Sequence, residues 1–145
     1  MNTTDAPIIV EQDYQVSQAT VWNALTRLDE LKLWFFENIP AFEPKEGFET
    51  RFPVTTENGI FTHIWKVTEV IEEKKLSKKW MYAEYPGSAM VHFLLIPNNG
   101  KTTIRLTLEV LEDFPQNIPE FKRESGVAGW NYFLCERLKD YLEKC

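Results

Sequence analysis

Cysteine is scarce in this chain of 145 residues, which contains only Cys135 and Cys145. Both are predicted to lie on one helix, where a separation of ten residues corresponds to roughly 15 Å along the axis. Because that distance exceeds the reach of a disulfide, the sequence argues against a fold held together by an internal disulfide. Reduced cysteines are typical of proteins inside the cell.

Basic charge and long apolar runs are also lacking. The chain has 16 Lys and Arg against 22 Asp and Glu, a net charge of −6, so it offers no basic surface for a nucleic-acid backbone. No apolar stretch approaches the roughly 20 residues that span a membrane. The first seven residues, MNTTDAP, show no basic region followed by an apolar run, so we expect no secretory signal. These absences predict a cytoplasmic protein without a membrane span or a nucleic-acid partner.

Catalytic motifs are missing as well. We find no Gly-rich phosphate loop, no spacing typical of metal ligands and no serine nucleophile motif. The two histidines, His63 and His92, are predicted on strands separated by a third strand, which places their backbones about 10 Å apart. Both could face one cavity, but no third metal ligand can be named, and a hydrogen-bonded, half-buried His63 is favoured over a catalytic base. The sequence therefore assigns no catalytic residue, metal or cofactor.

Aromatic side chains are abundant, at 14% of the chain with five Trp and ten Phe. The length and the 43% hydrophobic content fit one domain over residues 1–145 with a substantial core. No linker, repeat or low-complexity segment interrupts it. A core needs some of these aromatic residues, and a pocket wall could use the excess.

The C-terminal stretch from about residue 119 to 144 is predicted to be a long amphipathic helix. At about 100° per residue, one arc is apolar and the opposite side is charged. The apolar arc contains Val127, Trp130, Phe133, Leu134, Leu138, Tyr141 and Leu142.

Two features of this predicted helix leave alternatives open. Arg137 falls inside the apolar arc, either as a stem packed on apolar surface with its head in water or as a polar anchor facing a cavity. Gly126 and Gly129 lie one turn before the aromatic cluster, where they mark either a bend or a place where the helix wall is thinned to leave room.

The rest of the chain reads as a strand, two short helices and a meander. Residues 8–14 form the strand, Ser17 caps a short helix, and a second short helix covers residues 28–35. Period-two patterns then predict strands at 47–54, 60–71, 76–84, 89–96 and 102–111. The joints at 56–59, 72–75, 85–88 and 97–100 are short, which indicates antiparallel pairing.

A twisted sheet of about six strands curls, and its concave face can receive one long helix. We therefore predict an α+β fold with space left between the sheet and the helix.

Several motifs carry a family resemblance. Residues 21–26 (VWNALT), followed by Leu31 and Trp34-Phe35, resemble the opening of proteins related to the C-terminal domain of the activator of heat-shock protein 90 ATPase. Residues 67–70 (VTEV) with Leu76 and Trp80, and residues 102–107 (TTIRLT), are similar to strands of that family. The match runs from about residue 8 to 143. It implies the helix-grip fold of the START-like (SRPBCC) superfamily, with a curved antiparallel sheet wrapped around a long C-terminal helix.

The resemblance implies several functions rather than one. Relatives are small-molecule or lipid carriers, cyclase-like enzymes and chaperone activators, and the family has no universal catalytic set. Our leading hypothesis is a protein that binds a small hydrophobic or amphipathic ligand between helix and sheet. Alternatives are a chaperone-activator-like interaction module and a cyclase- or hydrolase-like enzyme using His63 or His92 as a base. The sequence permits a homodimer without requiring one.

Residues on faces that should converge are the candidate ligand site. Arg137 would favour an anionic or carbonyl-bearing ligand, and tyrosines and His63 could supply hydrogen bonds. The candidate ligand-binding residues are Trp34, Phe36, Phe61, His63, Trp65, Trp80, Tyr82, His92, Trp130, Phe133, Arg137 and Tyr141.

Overall fold

The computed structural model describes residues 1–143 and has the predicted α+β architecture. Six antiparallel strands form one curved sheet in the order β1-β6-β5-β4-β3-β2, and the C-terminal helix packs across it. The strands are β1 (Ile8–Tyr14), β2 (Glu49–Thr56), β3 (Gly59–Ile71), β4 (Lys75–Tyr82), β5 (Tyr85–Asn98) and β6 (Lys101–Glu112). The prediction of a helix-grip fold is confirmed. Lys144 and Cys145, the second predicted helical cysteine, lie outside the described residues.

Two short helices follow β1, as predicted. They are α1 (Gln18–Thr26) and α2 (Leu28–Trp34). The Ser17 side chain accepts a hydrogen bond from the Thr20 amide and so caps α1, which satisfies one of the free amides at its start. The Trp34 indole donates to the Ala24 carbonyl over 2.8 Å, so the two helices are tied together at the open end of the sheet.

One predicted turn is wrong. Residues 85–88 were expected to form the third joint because of their Pro-Gly pair, but Tyr85 already pairs with Tyr82, and β5 begins there. The turn consists of Ala83 and Glu84. Gly87 instead adopts φ +110° beside an irregularity in strand register at Ser88, as glycines at bulges commonly do.

The C-terminal helix starts later than predicted and is not a single α-helix. Pro119–Phe121 forms a 3₁₀ turn, and the helix continues as α3 (Arg123–Asn131), a π-helical segment (Tyr132–Leu138) and α4 (Lys139–Glu143). Bonding from i to i+5 widens the turn, so the arc calculated for an ideal α-helix shifts over this segment. Trp130, Leu134 and Leu138 are buried at a spacing of four. Arg137 is exposed.

A buried hydrogen bond fixes the π-helical segment to the sheet. The Tyr14 hydroxyl, at the end of β1, donates to the Leu134 carbonyl over 2.7 Å. Tyr14 is completely buried, and this burial raises the pKa of its hydroxyl, so Tyr14 stays neutral and acts as a donor. The bond therefore sets the position of the helix over the concave face.

Aromatic side chains fill most of the space between helix and sheet. The Phe35 ring lies 4.8 Å from that of Trp34, 5.3 Å from Trp65 and 4.7 Å from Phe133, measured between ring centres. Such contacts are favourable at these separations. Within residues 1–143, no helix is long and apolar enough to span a membrane.

Candidate functional site

A small, partly open cavity lies within the aromatic interior, between the C-terminal helix and the concave face of the sheet. Its volume is about 160 Å³. An apolar cavity of about 150 Å³ is large enough to bind benzene, whereas sites for drug-sized ligands occupy roughly 300–1,000 Å³. The lining residues are Met1, Phe35, Phe36, His63, Trp80, Tyr82, Ala89, Leu108, Phe114, Glu120, Ser125, Gly126, Gly129, Trp130 and Phe133.

Two glycines of α3 form part of the cavity wall. A Cβ added to Gly129 would meet no atom within 4 Å, and one added to Gly126 would lie 3.2 Å from Ile8 Cδ1 and 3.3 Å from Met1 Sδ. The helix wall is therefore thin at the cavity. Of the two alternatives that the sequence left open, a bend or a thinned wall, the second describes these glycines. The Met1 side chain closes the wall beside Gly126.

His63 on β3 lines this cavity and has one hydrogen-bond acceptor that no neighbour in the described part of the chain uses. Its Nδ1 lies 3.1 Å from the Phe61 carbonyl. Because a carbonyl oxygen can only accept, Nδ1 carries the hydrogen, and Nε2 has a free lone pair. Burial lowers the pKa of His63 to about 4, against the smaller opposing effects of the Phe61 carbonyl and Glu84. The imidazole is thus neutral at physiological pH.

Tyr82 on β4 presents a hydrogen-bond donor beside it. The Trp80 indole donates to the Tyr82 oxygen over 2.9 Å. Among residues 1–143 no acceptor is within reach of the Tyr82 hydrogen, which leaves the hydroxyl free to donate. Burial raises the pKa of Tyr82 to about 12, so this donor keeps its proton at neutral pH.

Glu120 brings negative charge to the cavity lining. Its carboxylate accepts hydrogen bonds from the Thr56 hydroxyl at 2.7 Å and the Asn58 amide at 3.0 Å. Although desolvation acts in the opposite direction, these bonds hold the pKa of Glu120 below its ordinary value. The group is ionised at neutral pH. Sequence reasoning missed it because Glu120 lies in the 3₁₀ turn, outside the regular periodic pattern.

Half of the twelve predicted ligand residues line the cavity. These are Phe36, His63, Trp80, Tyr82, Trp130 and Phe133. Three more of the predicted residues are at most 2% exposed and belong to the packed core around the cavity, namely Trp34, Phe61 and Trp65.

Three predicted residues lie elsewhere. His92 was expected to be able to face the cavity, but it is on the outer face of β5, where Ser77 Oγ lies 2.7 Å from Nδ1 and Glu109 Oε1 lies 3.1 Å from Nε2. Arg137 donates to the Leu33 carbonyl over 3.0 Å in a separate, open cleft. Tyr141 donates to Glu30 over 2.9 Å.

Lys78 is a buried charge that sequence reasoning missed. It lies on the inward face of β4, is 1% exposed, and its Nζ sits 3.8 Å from the centre of the Trp65 ring. The rings of Phe35, Phe42 and Phe93 surround it at 5.2–5.8 Å. Burial lowers the pKa of Lys78 to about 7. The strand alternation that places Leu76 and Trp80 inside also places Lys78 there.

Across residues 1–143, no group of three or more His, Cys, Asp or Glu side chains is arranged to hold a metal ion. The cavity offers hydrogen bonds and aromatic surface.

Comparison with known proteins places the chain in a family. The model of the family described as Activator of Hsp90 ATPase homolog 1-like protein matches residues 15–143. No curated protein matches the sequence.

Several solved structures share the fold. The Aha1 dimer from Colwellia psychrerythraea is 24% identical, with a TM-score of 0.72, and the alignment covers 97% of this chain and 98% of that one. Protein CV1439 from Chromobacterium violaceum is 14% identical, with a TM-score of 0.79 and coverage of 96% and 98%. DynU16, a protein of the dynemicin biosynthetic locus, is 21% identical with a TM-score of 0.76 over 97% of this chain, which spans only 48% of DynU16.

Proposed function

The chain belongs to the family of Activator of Hsp90 ATPase homolog 1-like proteins, and we propose that it binds a small, uncharged hydrophobic molecule between its C-terminal helix and its sheet. The observation that carries this proposal is the cavity of about 160 Å³ behind the glycine-thinned wall of α3. Its volume fits a single ring. A long lipid chain would need more of the interior than the packed aromatic residues leave.

The ligand-binding proposal predicts that filling the cavity abolishes binding. Toluene titrated into the wild-type protein is expected to shift the backbone amide NMR signals of Gly126 and Gly129. Gly129→Leu places a side chain where no atom lies within 4 Å of the Cβ, and Ala89→Leu adds volume from the buried floor on β5. We expect each variant to weaken toluene binding at least tenfold while retaining the fold, since a filled cavity has no room for the ring.

Ala128→Leu is the matched control for the two filled variants. Ala128 is exposed on the same helix and does not line the cavity, so the added leucine should leave toluene binding unchanged. If the wild-type protein shows no shifts with toluene, or if Ala128→Leu weakens binding as much as Gly129→Leu, the cavity is not the binding site.

A second candidate is a protein-interaction role of the chaperone-activator kind, which family membership supports. One solved relative is described as an Aha1 dimer, and this supports a homodimer as part of the same candidate. The purified protein would then show twice the mass of one chain by light scattering and would raise the ATPase rate of an Hsp90-type chaperone. A monomer with no effect on that rate removes this candidate.

A further inference from the structure

We propose that the cavity selects a small phenol, whose single hydroxyl donates to His63 Nε2 and accepts from the Tyr82 hydroxyl. This inference rests on the proposed function, because it requires that the cavity bind a ligand.

The polar atoms of the cavity are complementary to one hydroxyl group. The Nδ1 hydrogen of His63 is taken up by the Phe61 carbonyl, so His63 offers only the Nε2 lone pair to a ligand. The Tyr82 oxygen already accepts from Trp80, so Tyr82 offers mainly its hydrogen. Between them, His63 and Tyr82 therefore offer one unused acceptor and one unused donor, and a hydroxyl both donates and accepts.

The His63 and Tyr82 side chains are in direct edge-to-face contact at the cavity wall. The centres of the His63 and Tyr82 rings are 4.8 Å apart, with an angle of 71° between the ring planes. Both residues line the same cavity. An alkane or plain arene in this space would leave the His63 Nε2 lone pair and the Tyr82 hydroxyl hydrogen unpaired, and unpaired polar groups shielded from water carry a free-energy penalty.

The remaining walls favour an aromatic ring and disfavour an anion. Phe36, Trp80, Trp130 and Phe133 line the cavity, and aromatic side chains pack well against a ligand ring in edge-to-face or offset geometry. Glu120 is also a lining residue and is ionised, so a carboxylate ligand would have a like charge nearby. A phenolic hydroxyl, with an ordinary pKa of about 10, enters uncharged.

The test compares phenol, toluene and benzoate on the wild-type protein at pH 7, with dissociation constants taken from amide NMR shifts. Phenol and toluene have nearly the same size, so their ratio isolates the hydroxyl. We expect phenol to bind about tenfold more tightly than toluene. Each of the two hydrogen bonds is worth roughly a factor of ten, and the cost of removing the phenol hydroxyl from water offsets about one of them. We expect no saturable binding of benzoate.

Variants then assign the preference to its two atoms. His63→Phe removes the acceptor and Tyr82→Phe removes the donor, and each is expected to bring the phenol-to-toluene ratio close to one. His92→Phe, on the outer face of the sheet, and Tyr132→Phe, which is 43% exposed, are the controls and should leave the ratio unchanged. If one cavity variant fails to fold, the other variant and the wild-type ratio still decide the question.

The outcomes separate this inference from the proposed function. Toluene binding with no preference for phenol, or a preference that survives both cavity variants, overturns the phenol inference and leaves the ligand-binding proposal in place. Binding of neither toluene nor phenol overturns both.

Discussion

Replacing Lys78 by methionine is expected to raise the free energy of unfolding at pH 7 by about 2–4 kcal/mol. Lys78 is 1% exposed, and no carboxylate in residues 1–143 pairs with it. Burial disfavours the charged ammonium and lowers its pKa to about 7, from about 10.4 in an unfolded chain. The Trp65 ring 3.8 Å from Nζ offsets part of that cost through a cation–π interaction. Methionine has a similar length and no charge to desolvate.

The contribution of Lys78 to the free energy of unfolding depends on pH. Between about pH 7 and pH 10 the unfolded chain binds more protons at Lys78 than the folded chain. The contribution of this residue to the free energy of unfolding therefore rises with pH across that window. Below pH 7 both states are protonated, and the full desolvation cost applies.

Urea denaturation of wild-type protein and Lys78→Met between pH 6 and pH 10 measures this contribution. The advantage of Lys78→Met is expected to be largest at pH 6 and to shrink steadily as the pH rises toward 10. Lys79→Met is the control, because Lys79 lies next along β4 with its side chain on the other face and is only partly buried. A less stable Lys78→Met at every pH would mean that the aromatic rings stabilise the ammonium by more than its burial costs.

The order of strands and helices could be predicted because it depends on local patterns. Alternation along β6 and the Asn-Gly turns before β3 and β6 both depend on neighbouring residues, and the structure has strands and turns at those places. Lys78 was missed although the same alternation placed Leu76 and Trp80 inside. Lysine is rarely buried, so a lysine was not expected on the buried face even though its position in the strand places it there.

The candidate site was less predictable because it depends on packing between distant elements. His92 lies on a strand that is apolar on both faces, so its sequence neighbours do not reveal which face it occupies. Arg137 follows the onset of the π-helical segment, where the angles of an ideal α-helix no longer apply. The volume that remains between helix and sheet follows from the fit of many aromatic side chains, which no single pattern encodes.

Replacing Gly87 by alanine is expected to destabilise the protein by about 3 kcal/mol or more. Gly87 has φ +110°, and a Cβ there would lie 2.5 Å from Phe114 Cδ1 and 3.0 Å from the Asp113 carbonyl oxygen. Phe114 is 3% exposed, and its ring packs against those of Tyr82 and Phe121. Gly100→Ala is the control because Gly100 has φ +82° and its Cβ would meet nothing within 4 Å. That variant carries the backbone cost alone, roughly 1–2 kcal/mol.

A double-mutant cycle separates the steric clash from the backbone strain of Gly87→Ala. Phe114→Ala removes the Cγ and Cδ1 atoms that the new Cβ would meet, so the two substitutions together should cost less than the sum of their separate losses, by about 1 kcal/mol or more. Simple additivity in urea denaturation would instead assign the whole loss to the backbone of β5.

Phe114 also lines the cavity, and its amide donates to the Met1 carbonyl over 3.0 Å. A ring displaced by Gly87→Ala would therefore disturb the wall that Met1 closes, so Gly87→Ala should weaken toluene binding while Gly100→Ala does not.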